Sequence, residues 1–177
     1  MIEIIDLAVS KITPDMLLDF NHHQIITKKW VSNNNSWELV ETTDLREWSK
    51  EKRIWITEYL RQQIERGGSA VVAFDGDILV GFCCMDGFLL GTTAKYANLT
   101  MIFVDDKWKR KGLGKKLFDE ICKHAAHKGA DKLFISAIPS FETVAFYLNM
   151  GCEDAKDIIS EYIDTENDRY LEYSLTT

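Results

Sequence analysis

The sequence has little proline and no long apolar run. Only two of its 177 residues are proline and ten are glycine, which excludes a collagen-like or linker-like chain. No apolar run approaches the ~20 residues that a membrane-spanning helix needs. The first residues have no basic stretch and no small-residue cleavage site, so we expect no signal peptide. We therefore expect a cytoplasmic protein with no membrane partner, folded as a single domain over 1–177.

Cysteine and histidine are too sparse to indicate a metal site. The four cysteines include no CxxC pair, so neither zinc nor a dithiol redox pair is indicated, and we expect reduced, mostly buried thiols. Adjacent Cys83 and Cys84 should face opposite sides of any strand that carries them. His124 and His127 have helical i,i+3 spacing, but no third ligand lies near them in the sequence. No metal cofactor is therefore expected.

Positive charge is scarce outside one short segment. The net charge is −7 and the pI is near 5.1, which argues against nucleic acid as a partner. From Ser140 to the C-terminus there are nine acidic residues and two basic ones. Between Lys107 and Lys116, by contrast, six of ten residues are basic and none is acidic. The sequence thus predicts a local anion site in an otherwise acidic chain.

The order of the predicted elements indicates a mixed sheet. The first part of the chain is predicted to contain a strand at Ile2–Val9, a short helix capped by Thr13, a hairpin of Gln24–Val31 with Trp37–Glu41, and a helix from Ser49 to Arg66. Three antiparallel strands are predicted next, at Ala70–Phe74, Ile78–Met85 and Tyr96–Val104. The remaining elements are a helix at Gly112–His127, a strand at Lys132–Ile138, a helix at Phe141–Met150 and a strand at Tyr170–Leu175. This order predicts an α/β (α+β) fold, with a mixed, mostly antiparallel sheet of about six to seven strands and helices on both faces.

The basic segment is predicted to lie between a strand and a helix. In Ile102–Phe118, the strand ends, a basic loop follows, and Gly112-x-Gly114 opens an amphipathic helix. The free N–H groups and the dipole at a helix start attract a pyrophosphate, and glycine lets the backbone approach it. A Walker loop would need glycine instead of Lys109, and a dinucleotide fingerprint would need a small residue instead of Leu117. From these residues alone, a solvated basic loop remains an alternative.

A second pattern follows in Ile138–Cys152. On a helix, Phe141, Val144, Ala145 and Leu148 form an apolar face, and Tyr147 lies at its edge. A tyrosine in that position can pack its ring while its hydroxyl reaches a cleft.

Together the two segments resemble the GNAT superfamily of N-acetyltransferases. Lys109–Gly114 is similar to the family's Q/R-x-x-G-x-G/A motif, with lysine where Gln or Arg is usual. Phe146–Cys152 is similar to its later phenylalanine- or leucine-tyrosine pair before a glycine, with Cys152 in place of a common phenylalanine. The resemblance covers about residues 70–152 and does not indicate the acceptor.

The resemblance implies that acetyl-CoA is the co-substrate, held in a cleft between splayed parallel strands. It implies that pantetheine pairs with the backbone of Ile102, Phe103 and Val104, where an N–H group would stabilise the oxyanion. The pyrophosphate would be held by Lys109, Arg110, Lys111, Gly112, Leu113, Gly114 and Lys115, and Ser140 would lie at a cofactor-contacting position. Tyr147 would protonate the departing thiolate, because a phenol with a pKa of about 10 is comparable in basicity with a thiolate.

The general base and the acceptor are less well defined by the sequence. The strand Tyr96–Val104 contains no acid. Asn98 and Thr100 are expected to share a face with Ile102, opposite Leu99, Met101 and Phe103, and could position a water molecule. Other candidates for the base are Asp86 and Glu142.

A cationic small-molecule or peptide amine is the acceptor that the charge distribution favours. The resemblance places the segment Ile25–Leu45 at one wall of the acceptor cleft. The aromatic and acidic side chains of that segment, together with the acidic tail, would suit a cation: Trp30, Trp37, Glu38, Glu41 and Asp44. An equally supported alternative is that the hairpin only covers the core or mediates dimerisation. A homodimer through the C-terminal strands is also compatible with the sequence. The alternative function is a non-catalytic acyl-CoA-binding regulatory module.

Overall fold

The computed structural model of the chain describes residues 1–175, and the last two residues of the expected domain lie outside the described residues. In chain order the helices and strands are β1 (Ile2–Asp6), β2 (His23–Asn33), β3 (Ser36–Glu47), α1 (Lys50–Glu65), β4 (Ser69–Asp75), β5 (Ile78–Leu90), β6 (Tyr96–Val104), α2 (Leu113–His127), β7 (Lys132–Ala137), α3 (Phe141–Asn149), β8 (Glu153–Asp154) and β9 (Arg169–Ser174).

Seven of the strands within residues 1–175 form one sheet in the order β1-β4-β5-β6-β7-β9-β8, and β2 pairs with β3 in a separate hairpin. Every neighbouring pair of the main sheet is antiparallel except β6 and β7, which are parallel. The chain reaches β7 from β6 through α2, as a parallel connection requires a crossover. The expected mixed, mostly antiparallel sheet is confirmed.

The two faces of the sheet carry separate apolar cores. On one face, α1 buries Ile56 and Leu60 against strand residues that include Cys84. On the other face, α2 and α3 pack against strand residues that include Cys83. Both expectations, helices on both faces and the opposite directions of the adjacent cysteines, are confirmed. Each fully buried Leu or Ile contributes roughly 1.5–3 kcal/mol to folding.

The predicted helix after Thr13 does not form. Pro14–Asp19 is instead a series of turns, closed by i→i+3 bonds such as Met16 N–H to the carbonyl oxygen of Thr13 at 3.1 Å. The tight turns bury Leu17 completely in the α1 core. That burial, rather than the helix-starting signal of a proline, determines the local conformation.

The predicted hairpin is present and longer than expected. Its turn residues Asn34 and Asn35 have φ values of 47° and 64°, the left-handed conformations that asparagine tolerates and that a two-residue turn between twisted strands needs. α1 begins after Ser49, whose side chain accepts a hydrogen bond from Lys52 N–H. Among residues 1–175, no helix is long and apolar enough to cross a membrane.

Candidate active site

β6 and β7 are neighbours in the sheet, but they pair over only three positions. Their register joins Tyr96 to Lys132 and ends where Asn98 meets Phe134. β6 continues to Val104 and β7 to Ala137, so the two strands separate towards their carboxyl ends. The edge of β6 that faces this opening therefore keeps unpaired backbone groups, which suits an extended ligand.

A β-bulge at Thr100 accompanies the separation. Leu99 and Met101 pair with consecutive residues of β5, which leaves Thr100 without a partner there. The extra residue reverses the alternation of side chains, because Leu99 packs in the α2 core whereas Met101 and Phe103 pack in the α1 core. Ile102 returns to the α2 core. The predicted alternation along this strand is therefore wrong beyond Leu99.

The loop between β6 and α2 presents its backbone at the start of a helix. Arg110 and Gly112 have positive φ values of 60° and 80°. Gly112 is the N-cap of α2 and offers no side chain to the first N–H groups. A Cβ atom on Gly112 would meet no atom within 4 Å, so the space beside it is open. Uncapped N–H groups next to open space suit an anion such as a diphosphate.

The lysines of this loop have partners within the protein. Lys109 donates its Nζ hydrogen to the carbonyl oxygen of His23 at 2.7 Å and is paired with Asp106, so it ties the loop to the start of β2. The Nζ atom of Lys111 lies 4.9 Å from the ring centre of Trp108. Lys115 forms an ion pair with Asp119, one turn further along α2. The roles of Lys109, Lys111 and Lys115 in holding pyrophosphate stay predictions.

Gly114 joins the loop to α3. A Cβ atom on Gly114 would lie 3.1 Å from Cε2 of Phe146 and 3.8 Å from Cγ2 of Val104. The glycine thus lets the first turn of α2 approach both the end of β6 and the helix that carries Tyr147. The two sequence motifs are in direct contact here.

Tyr147 is buried where α3 packs against α2. Its ring centre lies 6.4 Å from that of Phe118 and 5.2 Å from that of Phe146. Burial raises the pKa of Tyr147, and the neighbouring groups Cys152, Cys83 and Asp164 raise it further. The phenol therefore stays protonated at neutral pH, as a proton donor must.

Ser140 is the N-cap of α3 and is almost fully buried. Its hydroxyl oxygen accepts hydrogen bonds from Thr143 N–H at 3.1 Å and from Nε2 of Gln24 at 3.0 Å, and the hydroxyl donates to Oγ1 of Thr143 at 2.9 Å. The serine thus fixes the start of α3 and one side of β2. Its contact with the cofactor stays a prediction.

Strand β2 bridges the ends of the two separating strands. At the β6 side, the main-chain N–H of His23 donates to Asp106 at 3.1 Å. At the β7 side, the main-chain N–H of Trp30 donates to the carbonyl oxygen of Pro139 at 2.7 Å. The hairpin therefore crosses the carboxyl-end opening, where a wall of a cleft would lie.

The indoles of the hairpin already hold a cation from the protein itself. The guanidinium carbon of Arg169 lies 5.1 Å from the ring centre of Trp30 and 4.9 Å from that of Trp37. Arg169 also makes two hydrogen bonds to Asp154, at 2.7 and 2.9 Å. These contacts anchor the hairpin to β9. The hairpin acids expected at the acceptor site are exposed or half-exposed: Glu38, Glu41 and Asp44.

A carboxylate lies beside the point at which β6 and β7 separate. β5 bulges over Asp86–Phe88, three residues that face the single β6 residue Asn98. Asn98 is buried and donates its Nδ2 hydrogen to Oδ2 of Asp86 at 2.8 Å. Burial raises the pKa of Asp86, although the bond from Asn98 and the charge of Arg66 act in the opposite direction.

Asp164 is a second acid near this point, in the segment between β8 and β9. Its main-chain N–H donates to Oγ of Ser136 on β7 at 3.1 Å. Loss of hydration raises the pKa of Asp164, the negative charges of Asp168 and Asp86 raise it further, and Lys52 lowers it. Glu142, the other acid considered as a base, is exposed in the first turn of α3.

α1 contributes an aromatic stripe. Lys52, Trp55 and Tyr59 are spaced three and four apart, so they share one helix face. The Nζ atom of Lys52 lies 4.0 Å from the Trp55 ring centre, and Trp55 stacks on Tyr59 at 5.3 Å. Burial raises the pKa of Tyr59 to about 12, with Asp86 and Asp164 among the charges that raise it. Acids and aromatic faces together suit a cationic ligand.

A family model confirms the resemblance that the motifs indicate. The acetyltransferase (GNAT) family model matches residues 30–152, which is more than half of the chain. The protein therefore belongs to the GNAT acetyltransferase family, and the expectation of an acetyl-CoA-dependent acyltransferase is confirmed. No curated protein matches the sequence.

Solved structures have the same fold. Nourseothricin acetyltransferase is 12% identical with a TM-score of 0.72, and the match covers 99% of each chain. A GNAT-family acetyltransferase from Staphylococcus aureus Mu50 is 19% identical with a TM-score of 0.67, over 99% of this chain and 100% of that one. The PaiA N-acetyltransferase of Thermoplasma acidophilum, solved in complex with coenzyme A, is 17% identical with a TM-score of 0.63, over 98% of this chain and 99% of that one. At these identities the similarity establishes the fold and leaves the acceptor open.

Proposed function

We propose that the protein is an N-acetyltransferase that moves an acetyl group from acetyl-CoA to a primary amine of a cationic small-molecule or peptide acceptor. The amine attacks directly, through a tetrahedral intermediate. The observation that carries this proposal is the separation of β6 from β7 beside the open N-terminus of α2 at Gly112. That arrangement offers a backbone edge and an anion site to one extended ligand.

The chain's own groups suit the stages of such a transfer. Acetyl-CoA, when bound, supplies the thioester and the leaving thiolate. The free edge of Ile102–Val104 offers main-chain N–H groups, and such donors stabilise a developing oxyanion by several kcal/mol in a site that excludes water. The N-terminal N–H groups of α2 take the diphosphate.

Tyr147 is the proton donor to the thiolate in this proposal. Its buried phenol has a raised pKa, so it keeps its proton until a strong base appears beside it. A thiolate formed in the same apolar surroundings is such a base, because its own charge is poorly solvated there. The contact between Gly114 and Phe146 supports this role, because it brings the helix of Tyr147 to the cofactor loop.

A cationic acceptor is supported by the charges around the cleft. Burial is the main cause of the raised pKa values of Asp86 and Asp164, and each carboxylate is therefore less well hydrated than a surface acid. The Trp55 ring already accommodates the ammonium group of Lys52. An acceptor ammonium would relieve the two carboxylates and could use the same kind of ring face.

The test is thiol release from acetyl-CoA, followed with a chromogenic disulfide reagent, in the presence of polyamines, aminoglycosides, amino acids or short peptides. A blank without amine corrects for the four cysteines of the protein. Amine-dependent release with a preference for multiply charged amines is expected. Binding of acetyl-CoA with no turnover for any amine would instead favour the non-catalytic acyl-CoA-binding module, and no binding would contradict both.

A further inference from the structure

An acceptor amine must lose a proton before or during attack. The protonated form has no free electron pair, and an unperturbed alkylamine carries a pKa of about 10, so most of it is protonated at pH 7. The strand that lines the cleft, β6, contains no acidic residue. The proton must therefore be taken by a group on another element or by solvent.

The bulge of β5 brings a carboxylate to this strand. Three β5 residues, Asp86–Phe88, occupy the space opposite Asn98 alone. Two contacts fix the conformation of the bulge, one from Tyr162 and one from the backbone of Arg66. The Tyr162 hydroxyl donates to the carbonyl oxygen of Phe88 at 2.7 Å, and it lies 3.1 Å from the carbonyl oxygen of Tyr96. A Cβ atom on Gly87 would lie 2.4 Å from the carbonyl oxygen of Arg66, so only glycine fits there.

One oxygen of the carboxylate is held and the other is available. Among residues 1–175 the only hydrogen bond to the Asp86 side chain comes from Asn98, to Oδ2. Oδ1 therefore has an open acceptor position. The carboxylate is half-buried and thus loses part of its hydration, which makes it a better base than a solvated aspartate.

The titratable groups around Asp86 come from three other elements. α1 contributes Tyr59 and, at its C-terminal end, Arg66. The short 3₁₀ turn after β8 contributes Tyr162, and the segment that follows contributes Asp164. Arg66 is the one cation among them, and it is exposed. The site is thus mainly acidic and phenolic, which suits the approach of an ammonium group.

We propose that Asp86 is the general base of the transfer, and that Asn98 is the residue that positions it. The inference rests on the proposed function. The ammonium group gives its proton to Oδ1 of Asp86, and the amine nitrogen forms a bond to the acetyl carbon. The carbon–sulfur bond then breaks, and Tyr147 gives its phenolic proton to the sulfur. The nitrogen, now bonded to the acetyl carbon, gives up its second proton, which returns through water to the Tyr147 phenolate. The Asp86 proton passes to solvent. The products are the amide, the CoA thiol and one released proton.

The experiment compares Asp86→Asn with the wild type over a series of primary amines whose pKa values run from about 10 down to below 7. For the most basic amines, kcat/KM at pH 7 is expected to fall by about 10²–10⁴-fold, the usual contribution of a positioned base. For amines that are already neutral at pH 7, the loss is expected to shrink to about tenfold or less. The affinity for acetyl-CoA, measured by calorimetry, is expected to stay unchanged.

Three further variants distinguish a role of Asp86 in proton transfer from a purely structural role. Asp86→Glu should recover part of the activity, and Asn98→Ala should lower kcat and shift the acidic limb of the pH–rate profile. Asp164→Asn should raise KM for charged amines. Because the charges of Asp164 and Asp86 act on each other, it should also move the acidic limb to lower pH without abolishing the activity. The inference would be overturned if Asp86→Asn lost the same factor in kcat/KM for all amines, or if the acidic limb of Asn98→Ala did not shift. Either result would leave the proposed acetyltransferase function standing. A wild type that acetylates no amine would overturn the proposed function itself, and this inference with it.

Discussion

Gly114 in the first turn of α2 lies against the ring of Phe146 on α3, so closely that a Cβ atom would be 3.1 Å from Cε2. One glycine thus controls the distance between the loop expected to bind pyrophosphate and the helix that carries Tyr147. The contact explains why a glycine is needed two residues after Gly112, where the backbone conformation itself does not require one.

Gly114→Ala is expected to weaken acetyl-CoA binding more than it changes stability. The gain of about 1 kcal/mol in helix propensity offsets part of the ~1–3 kcal/mol cost of overpacking. Phe146 or the loop must move to admit the methyl group, so the dissociation constant for acetyl-CoA should rise several-fold in calorimetry. Phe146→Leu in the same chain should restore part of the affinity. A double variant no better than Gly114→Ala would contradict the packing argument.

Gly112→Ala should act through backbone strain instead. Its φ of 80° costs a non-glycine residue about 1–2 kcal/mol, and no side-chain clash adds to this because the space is open. Gly129 is a matched control, with a φ of 93° and equally open space at the other end of α2. Both alanine variants should lower the free energy of unfolding by about the same amount. Only Gly112→Ala should weaken acetyl-CoA binding.

Those parts of the fold that depend on local patterns could be predicted from the sequence. The four-residue apolar spacing of α2 and the paired asparagines of the hairpin are local signals, and both elements form as expected. The bulges at Thr100 and at Asp86–Phe88 could not be predicted, because an extra residue is visible only when two strands are paired. For this reason the alternation predicted for β6 is wrong beyond Leu99, and the sequence alone does not favour Asp86 over Glu142.

The partners of polar groups were equally hidden in the sequence. The sequence does not reveal that Lys109 contacts Asp106 or that the two hairpin indoles contact Arg169, and the roles of these residues towards a ligand stay predictions. Such contacts join residues far apart in the chain, so no local pattern reveals them. The aromatic stripe of α1 had a readable spacing, but the sequence does not tell which face of the helix lines the cleft.

Tyr147→Phe is expected to lower kcat by about 10²–10⁴-fold, because the variant lacks the proton for the thiolate. The ring and its packing against Phe118 and Phe146 remain, so acetyl-CoA affinity should change little. Tyr170→Phe is the control, since its hydroxyl donates to the carbonyl oxygen of Thr165 at the surface, at 3.2 Å. Steady-state kinetics with the best amine would distinguish the two. A loss in both variants would point to a general effect of removing a tyrosine hydroxyl.

His22 should make the protein less stable as the pH falls below about 6.5. Burial, and then the charge of Lys109, lower the pKa of His22 to about 4, whereas the unfolded chain binds a proton near 6.5. The unfolded state therefore holds more protons in this range, and stability rises with pH across it. At pH 5 the loss should be about 1–2 kcal/mol, after allowance for partial solvation. Denaturant unfolding of His22→Phe, which keeps the ring beside Trp48 and Phe103, should lack this dependence.

The adjacent His23 should make the protein less stable as the pH rises, the opposite of the effect of His22. Hydrogen bonds to Asp106 and Glu47 raise its pKa, so its stabilising contacts are complete below about pH 6.5 and are lost as the pH rises through the raised value. His23→Gln should therefore narrow the difference in stability between neutral and alkaline pH. A pH dependence unchanged in both single variants would show that neither imidazole determines it.

We expect that the preference for multiply charged acceptors depends on Asp164, between β8 and β9, more than on the hairpin acids Glu38 and Glu41. Asp164→Asn removes an acid whose charge acts on Tyr59 and Tyr147, and it should raise KM for a polyamine several-fold more than KM for a singly charged amine. The pair Glu38→Gln/Glu41→Gln removes two exposed hairpin charges. Exposed charges are screened by salt, so this variant should show a smaller effect that disappears at high ionic strength. The measurement is KM for both amines at low and high salt. A larger and salt-resistant effect in the hairpin variant would mean that the acceptor is recognised by β3 rather than by the segment between β8 and β9.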